Sequence, residues 1–366
     1  MSKRVKWALG IGLALAVVLI VQAALGELIY MPLVYLQGTP TPSVAVTHTL
    51  AITPTAVATF TPTFTPTGST LTQTPQPSQT PAETPLPQIV RFAVIGDYGR
   101  GKQPEADVAT LVKSWDLDFI ITTGDNNYPD GKSSTIDENI GQFYHEFIFP
   151  YLGGYGEGAD VNRFFPSLGN HDWHAAGAQP YLDYFTLPGN ERYYDFTWGP
   201  LHFFALDSDP NEPDEVGRSS VQAAWLQNQL ATSTAPWKVV YMHHAPYSSA
   251  RHGSIDWMQW PYAEWGASIV LAGHDHTYER LEIDGMVYVV DGLGGSSIYP
   301  FRDPLPGSLV RYNGDFGALQ VEASETAMFF QFINLSGEVI DSFEIPASKF
   351  LDSLRNPVVN CLSRFY

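Results

Sequence analysis

The sequence predicts an α/β domain built from two packed mixed β-sheets flanked by helices. Three observations carry this prediction. Short apolar runs alternate with helix-like segments from residue 89 to residue 279, and after Glu279 the pattern becomes mostly strand. Five short polar clusters each follow an apolar run, at the strand ends where α/β folds gather their reactive groups.

The elements follow in chain order. Residues 1–36 read as an export leader or an N-terminal anchor. Lys3, Arg4 and Lys6 precede an apolar stretch over residues 7–24, with small residues at Ala23 and Ala24 for processing. That stretch is marginal in length for a bilayer span. Residues 37–88 repeat Thr-Pro units such as Thr61-Pro62-Thr63, with Glu83 the one charge, and are expected as an extended spacer. The folded domain is expected over 89–346, followed by a tail over 347–366. Val90 to Ile95 is an apolar run ending at Gly96-Asp97, a buried strand. Helices are expected over 103–115, 137–149 and 219–231. The second carries Ile140, Phe143, Tyr144 and Phe147 on one side, and the third turns Val221, Trp225 and Leu226 inward. Strands are expected at 119–121 and 164–168, as a hairpin over 193–206 turning at Gly199-Pro200, and at 237–242 and 268–272. Four more follow at 286–290, 316–322, 327–334 and 338–344.

The chain has 366 residues, 44% of them hydrophobic, enough for a sizeable core. Its net charge of −19 and pI near 4.7 disfavour binding to a nucleic-acid duplex. Cys361 is the single cysteine, so neither an intrachain disulfide nor a multi-thiolate metal site can form.

The five clusters are Gly96-Asp97-Tyr98-Gly99, Gly124-Asp125-Asn126-Asn127-Tyr128, Gly169-Asn170-His171-Asp172, His243-His244 and Gly273-His274-Asp275-His276. Alone, a Gly-Asp is usually a turn and a Gly-Asn-His-Asp usually a loop or helix cap. A His-His after a strand is more often packing. Their conjunction points elsewhere, because Asp97, Asp125, Asn170, His243, His274 and His276 offer donors suited to iron, manganese or zinc. Two cations held by such a set can clamp the attacking and leaving oxygens of a phosphoryl transfer. Glycine precedes four of the six, permitting the tight turns that aim ligands at one centre.

In this order and spacing, the clusters resemble the calcineurin-like metallophosphoesterase superfamily, and within it the purple acid phosphatase branch that includes tartrate-resistant acid phosphatases. The resemblance covers about residues 89–345 and implies a four-layer αββα sandwich. Many superfamily members carry a metal-binding His two residues after the first Asp. Here that position is Gly99, while Tyr128 stands where the purple branch has its metal-bound tyrosine. The resemblance implies one site of Asp97, Asp125, Tyr128 and His276 holding Fe(III). It implies a second of Asp125, Asn170, His243 and His274 holding Fe(II), Zn(II) or Mn(II), with Asp125 bridging. It also implies that His171 and His252 face the substrate phosphate together with Asn170, and His252 is the favoured general acid for the leaving alkoxide. His244 is expected beneath the ligands and His174 at the rim. Trp173, Tyr247 and Tyr299 are candidate walls.

The expected activity is that of an exported acid phosphomonoesterase acting on phosphorylated small molecules by in-line attack of a metal-activated hydroxide. It would sit outside the cytoplasm, secreted or attached through residues 7–24, in an oligomeric state the sequence leaves open. The rivals are a phosphodiesterase or nucleotidase on the same metals, a surface binding module with an inactive site, and a structural surface protein.

Overall fold

The structure is a computed structural model that describes residues 89–347. Residues 1–88, expected as leader or anchor and Thr/Pro spacer, and residues 348–366 with Cys361 lie outside the described residues. Among the described residues no helix is long and apolar enough to cross a membrane.

Among the described residues, thirteen strands form two mixed sheets. The first has six strands in the order β13-β12-β11-β1-β2-β3: β1 (Val90–Ile95), β2 (Phe119–Thr122), β3 (Phe164–Pro166), β11 (Gly317–Ala323), β12 (Ala327–Asn334) and β13 (Val339–Pro346). Its β1, β2 and β3 run parallel, and the late strands extend it antiparallel. The second has seven strands in the order β10-β8-β9-β7-β6-β5-β4: β4 (Tyr194–Trp198), β5 (Leu201–Ala205), β6 (Trp237–His244), β7 (Ile269–Gly273), β8 (Tyr278–Ile283), β9 (Met286–Asp291) and β10 (Ser308–Tyr312). There β5, β6, β7 and β9 are parallel.

Successive side chains of a strand point to opposite faces, and in the second sheet both faces are buried. Phe203, Val239, Tyr241, Leu271 and Val289 point into the core between the sheets. Phe204, Val240, Met242, Val270 and Val290 point to a second core under helices α5 (Val221–Thr232) and α6 (Tyr262–Trp265). Phe92 of β1 meets Phe203 of β5 edge-on at 5.2 Å, a direct contact across the two layers.

Helix α1 (Gln103–Lys113) opens with Pro104 in its first turn, where a missing N–H costs nothing. The helix expected over 137–149 is broken. A π-helical turn (Asp137–Gly141) leads into α2 (Gln142–Tyr144) and a 3₁₀ turn (His145–Phe147). Its apolar face is correct, since Ile140, Phe143, Tyr144 and Phe147 are all buried. In α5, Ser220 caps the first turn through the Ala223 amide at 3.0 Å. Val221 does not point inward as expected. It is 62% exposed, because Gln222, Ala223, Leu226 and Leu230 form the buried face. Short α3 (Asn170–Trp173) and α4 (Gln179–Tyr184) were not expected. Nor were β8 and β10, for charged Glu279 and Arg280 mask the strand character of β8.

The C-terminal ends of β1, β2 and β3 in one sheet and of β6 and β7 in the other face a common region. All five polar clusters stand there.

Candidate metal centre

The six-stranded sheet delivers oxygen donors and the seven-stranded sheet delivers nitrogens. Asp97, Asp125, Tyr128 and Asn170 follow β1, β2 and β3, while His243, His274 and His276 come from β6 and the loop after β7. Asp97, Asp125 and His276 have donor atoms within 4.8 Å of one another. The Tyr128 hydroxyl lies 3.2 Å from both Asp97 Oδ1 and His276 Nε2, and these two are 3.1 Å apart. A second set surrounds His243 Nε2, with Asn170 Oδ1 at 3.0 Å and His274 Nδ1 at 3.1 Å. Asp125 Oδ1 lies 3.4 Å from the same nitrogen. Asp125 therefore belongs to both sets.

Local backbone geometry aims these groups. Asp97, Asp125 and His274 adopt left-handed conformations, with φ of 54°, 54° and 69°. Such conformations cost on the order of 1 kcal/mol or more for a non-glycine residue and persist where the surroundings fix them. The surroundings do so here. The His274 amide donates to Asp97 Oδ2 at 2.8 Å and the His171 amide to Asp125 Oδ1 at 2.9 Å. Gly124 has a φ of 90°, and a β-carbon there would stand 2.7 Å from the His243 side chain. A larger residue would therefore block both the turn and the ring.

A second layer sets tautomers and loops. His243 Nδ1 donates to the Thr123 carbonyl at 2.8 Å, which leaves Nε2 as a lone pair facing the centre. His276 Nδ1 meets the Ser297 hydroxyl at 2.6 Å. Buried Asp172 accepts from the Gly169 amide and from the side chain of Asn126, tying the second and third clusters together. Burial beside Asp125 pushes its carboxyl up to about 7. Buried Asp275 accepts from the Ser248 hydroxyl at 2.6 Å, the His252 amide at 2.7 Å and the Gly253 amide at 3.0 Å. It thereby fixes the His252 loop. His244 packs beneath, its ring 4.4 Å from His274, and burial holds its imidazole down at about 3.

The donor set fits metal ions. His243 Nε2 and His274 Nδ1 stand 3.1 Å apart, with no room for a proton on both. Atoms bound to one cation at about 2.1 Å and near right angles stand about 3 Å apart, the spacing found in both sets. Burial and the neighbouring Asp125 and Asp97 hold the Tyr128 phenol well above its usual range. A phenolate there requires a cation. For Asp125, burial opposes ionisation, yet His243 and His171 hold its carboxyl below the usual range.

The calcineurin-like phosphoesterase family matches residues 90–278. The chain belongs to this family. Tartrate-resistant acid phosphatase type 5 of Homo sapiens is 23% identical over 311 residues, covering 70% of this chain and 91% of the relative. Purple acid phosphatase 17 of Arabidopsis thaliana is 26% identical over 294 residues, covering 69% and 82%. The fold is also similar to that of GAP50, the anchor in the inner membrane complex of Plasmodium. The TM-score is 0.56 and the identity 21%, over 73% of this chain and 95% of that one. The chain is thus a phosphoester hydrolase on the purple acid phosphatase side of its family, and the family implies a dimetal site.

All seven candidate ligands converge. His171 lies at the edge, its ring 4.3 Å from Tyr128 and its Nδ1 2.6 Å from the Pro129 carbonyl. The His252 ring lies 4.2 Å from that of His274, tilted by 33°. His174 lies 4.7 Å from His171, at the rim as expected. Of the candidate walls, Tyr299 stacks on His276 at 4.0 Å and 8°. Trp173 instead donates to Asp207 at 2.9 Å, and Tyr247 packs on Tyr288 at 4.9 Å within the outer core. Sequence reasoning missed the positioning work of Asp172, Asp275 and Glu279, whose carboxylate takes the Ser249 amide and hydroxyl. The signal available was that each lies inside or just after a ligand motif.

Proposed function

We propose that this chain is an exported dimetal acid phosphomonoesterase. Asp97, Asp125, Tyr128 and His276 hold one ion, and Asp125, Asn170, His243 and His274 hold the other. The observation that carries this reading is the shared position of Asp125, within reach of an oxygen-rich set containing Tyr128 and a nitrogen-rich set around His243. A phenolate is a hard donor, which favours Fe(III) in the first set, while Fe(II), Zn(II) or Mn(II) suits the second. When bound, the metals supply Lewis acidity and an activated water.

The protein's own groups do the rest. The His171 amide and ring flank Asp125 on the side open to solvent, where a phosphate oxygen can be held with Asn170. His252, fixed through its amide by Asp275, presents an exposed imidazole beside His274 and delivers the proton to the leaving oxygen. Partial burial lowers the His252 imidazole, against the pull of Asp275, so its cationic form belongs to acidic solution. This supports an acid optimum. Export rests on the leader over residues 1–36 and the Thr/Pro spacer that follows.

The test compares initial rates on a phosphomonoester and a diester with the same leaving group, in wild type and Asp125→Asn. The reading expects the monoester to be hydrolysed faster at acidic pH, and loss of at least about a thousandfold in the variant. Faster diester cleavage, or a variant that keeps wild-type rates, would overturn it.

A further inference from the structure

Guanidiniums lie over the rings of Tyr128, Phe147, Tyr299, Phe343 and Phe301. Of these rings, Tyr128 alone belongs to the two candidate ligand sets. Its cation is Arg100, 4.6 Å from the ring centroid. Arg91, Arg192 and Arg280 spend their charge on the carboxylates of Glu322, Glu212 and Asp341. Arg100 is used differently. Its Nε donates to the Ser296 hydroxyl at 2.7 Å. A hydroxyl that accepts from a guanidinium keeps its own proton to give. Burial and the carboxylates of Asp125 and Asp97 push the Tyr128 phenol up, and Ser296 pulls it the other way. Arg100 therefore bears on Tyr128 twice, across the ring face and through Ser296.

The Arg100 side chain is exposed, but the backbone that carries it is tied down. Buried Glu105 accepts the Arg100 amide at 2.8 Å and the Gly101 amide at 2.7 Å. The Tyr128 amide donates to the Gly99 carbonyl at 2.7 Å, and the Asn139 side chain donates to the Tyr128 carbonyl at 2.9 Å. The Ser296 amide donates to the Asp97 carbonyl at 3.0 Å. These main-chain bonds hold cation, hydroxyl and ring against one another. A cation against an aromatic face is attracted by its π electrons and lowers their energy. On a phenolate, that restrains donation to a bound ion, in the way outer partners tune a ligand. An ion that receives less from its ligands stays a stronger Lewis acid and keeps its water more acidic.

We propose that Arg100 is a positioning residue for Tyr128, holding the ring with Ser296 and restraining the phenolate as a donor. The inference rests on Tyr128 being a ligand, as in the reading above, and adds the residue that tunes it.

The test records the visible spectrum of the iron-loaded protein and the pH dependence of kcat on a phosphomonoester, in wild type, R100Q, R100K and R311Q. R100Q keeps the bond to Glu105, which the backbone amide makes. R311Q removes an exposed guanidinium 4.9 Å from the Phe301 ring, which is no candidate ligand, and so controls for net charge. The absorption band is expected at longer wavelength in R100Q, because an unrestrained phenolate gives up an electron more readily. It is expected at the wild-type position in R311Q and between the two in R100K, which keeps the charge without the planar fork. The acid limb of the kcat profile is expected to move up by about half a pH unit in R100Q, the scale of one partly screened charge. A band that R100Q leaves in place, a band that R311Q moves as far, or an unmoved acid limb overturns the inference. An iron-loaded wild type with no such band defeats Tyr128 as a ligand, a failure distinct from a band that R100Q leaves unmoved.

Discussion

Replacing Gly169 by alanine tests how tightly the ligand loops are fitted. Its backbone φ of −114° is open to alanine, so any effect is steric. A β-carbon built there lies 2.2 Å from the Asp125 amide nitrogen and 2.3 Å from Asp125 Oδ1. Ordinary contacts begin near 3.5 Å, so one partner must retreat by roughly 1 Å. Neither retreats freely. The first atom is backbone, and the second accepts the His171 amide at 2.9 Å. Overpacking of this kind costs about 1–3 kcal/mol, which for a domain of this size lowers Tm by several degrees. The larger effect falls on chemistry, since a ligand displaced by about 1 Å costs on the order of a hundredfold in rate. Gly217→Ala is the control, because a β-carbon there meets nothing within 4 Å. The assay combines metal content, thermal unfolding and monoester turnover. The expected result is a folded Gly169→Ala protein with reduced metal content and turnover down about a hundredfold, beside an unaffected control. Full metal content with turnover within about threefold of wild type would refute the reasoning.

Asp275→Ala strips three donors of their acceptor at a residue only 1% exposed. It should cost about 3 kcal/mol in urea unfolding and, through the freed His252 loop, about a hundredfold in kcat; a loss of stability without loss of kcat would separate the loop from catalysis. His244 is held neutral in the fold at about 3, against an ordinary value near 6.5 in the unfolded chain. Below pH 6.5 the unfolded chain takes a proton that the folded chain refuses, so stability falls as pH drops through that window. His244→Gln should remove about 2 kcal/mol of the loss between pH 6.5 and 5 at fixed metal saturation, and an unchanged slope in denaturant titrations contradicts the burial argument. Tyr128→Phe should abolish any broad visible absorption of the iron-loaded protein while leaving the His243 set intact, and persistence of the band would place the chromophore elsewhere.

Much of this architecture was legible because burial on both faces gives strands continuous apolar runs. Phe92 to Ile95 and Val239 to Met242 announce themselves in this way. The ligand motifs were legible because each ends such a run with polar groups, and glycine precedes the polar group in four of the five clusters. Where buried charge replaced apolar residues, the signal failed. In β8, Glu279 is spent on the Ser249 loop and Arg280 on Asp341, so a strand reads as a charged segment. In α5, buried Gln222 bonds the backbone of Asp207 and displaces Val221 to the surface. The helix expected over 137–149 kept its apolar face but not its hydrogen-bond register. Asp137 turns its carboxylate to the hydroxyls of Tyr151 and Tyr184 and to the Gly154 amide, partners invisible to local periodicity. The positioning carboxylates Asp172 and Asp275 were hidden because partners from other loops, Asn126 for the one and Ser248, His252 and Gly253 for the other, define their role.

Two metal ions are expected where the two sheets converge, with Asp125 between them. The most direct measurement is the metal content of the purified protein by elemental analysis, for wild type and Asp125→Asn after identical reconstitution. Two ions per wild-type chain and a loss of at least one in the variant are expected. One ion or none in wild type, or a variant that still holds two, would contradict it.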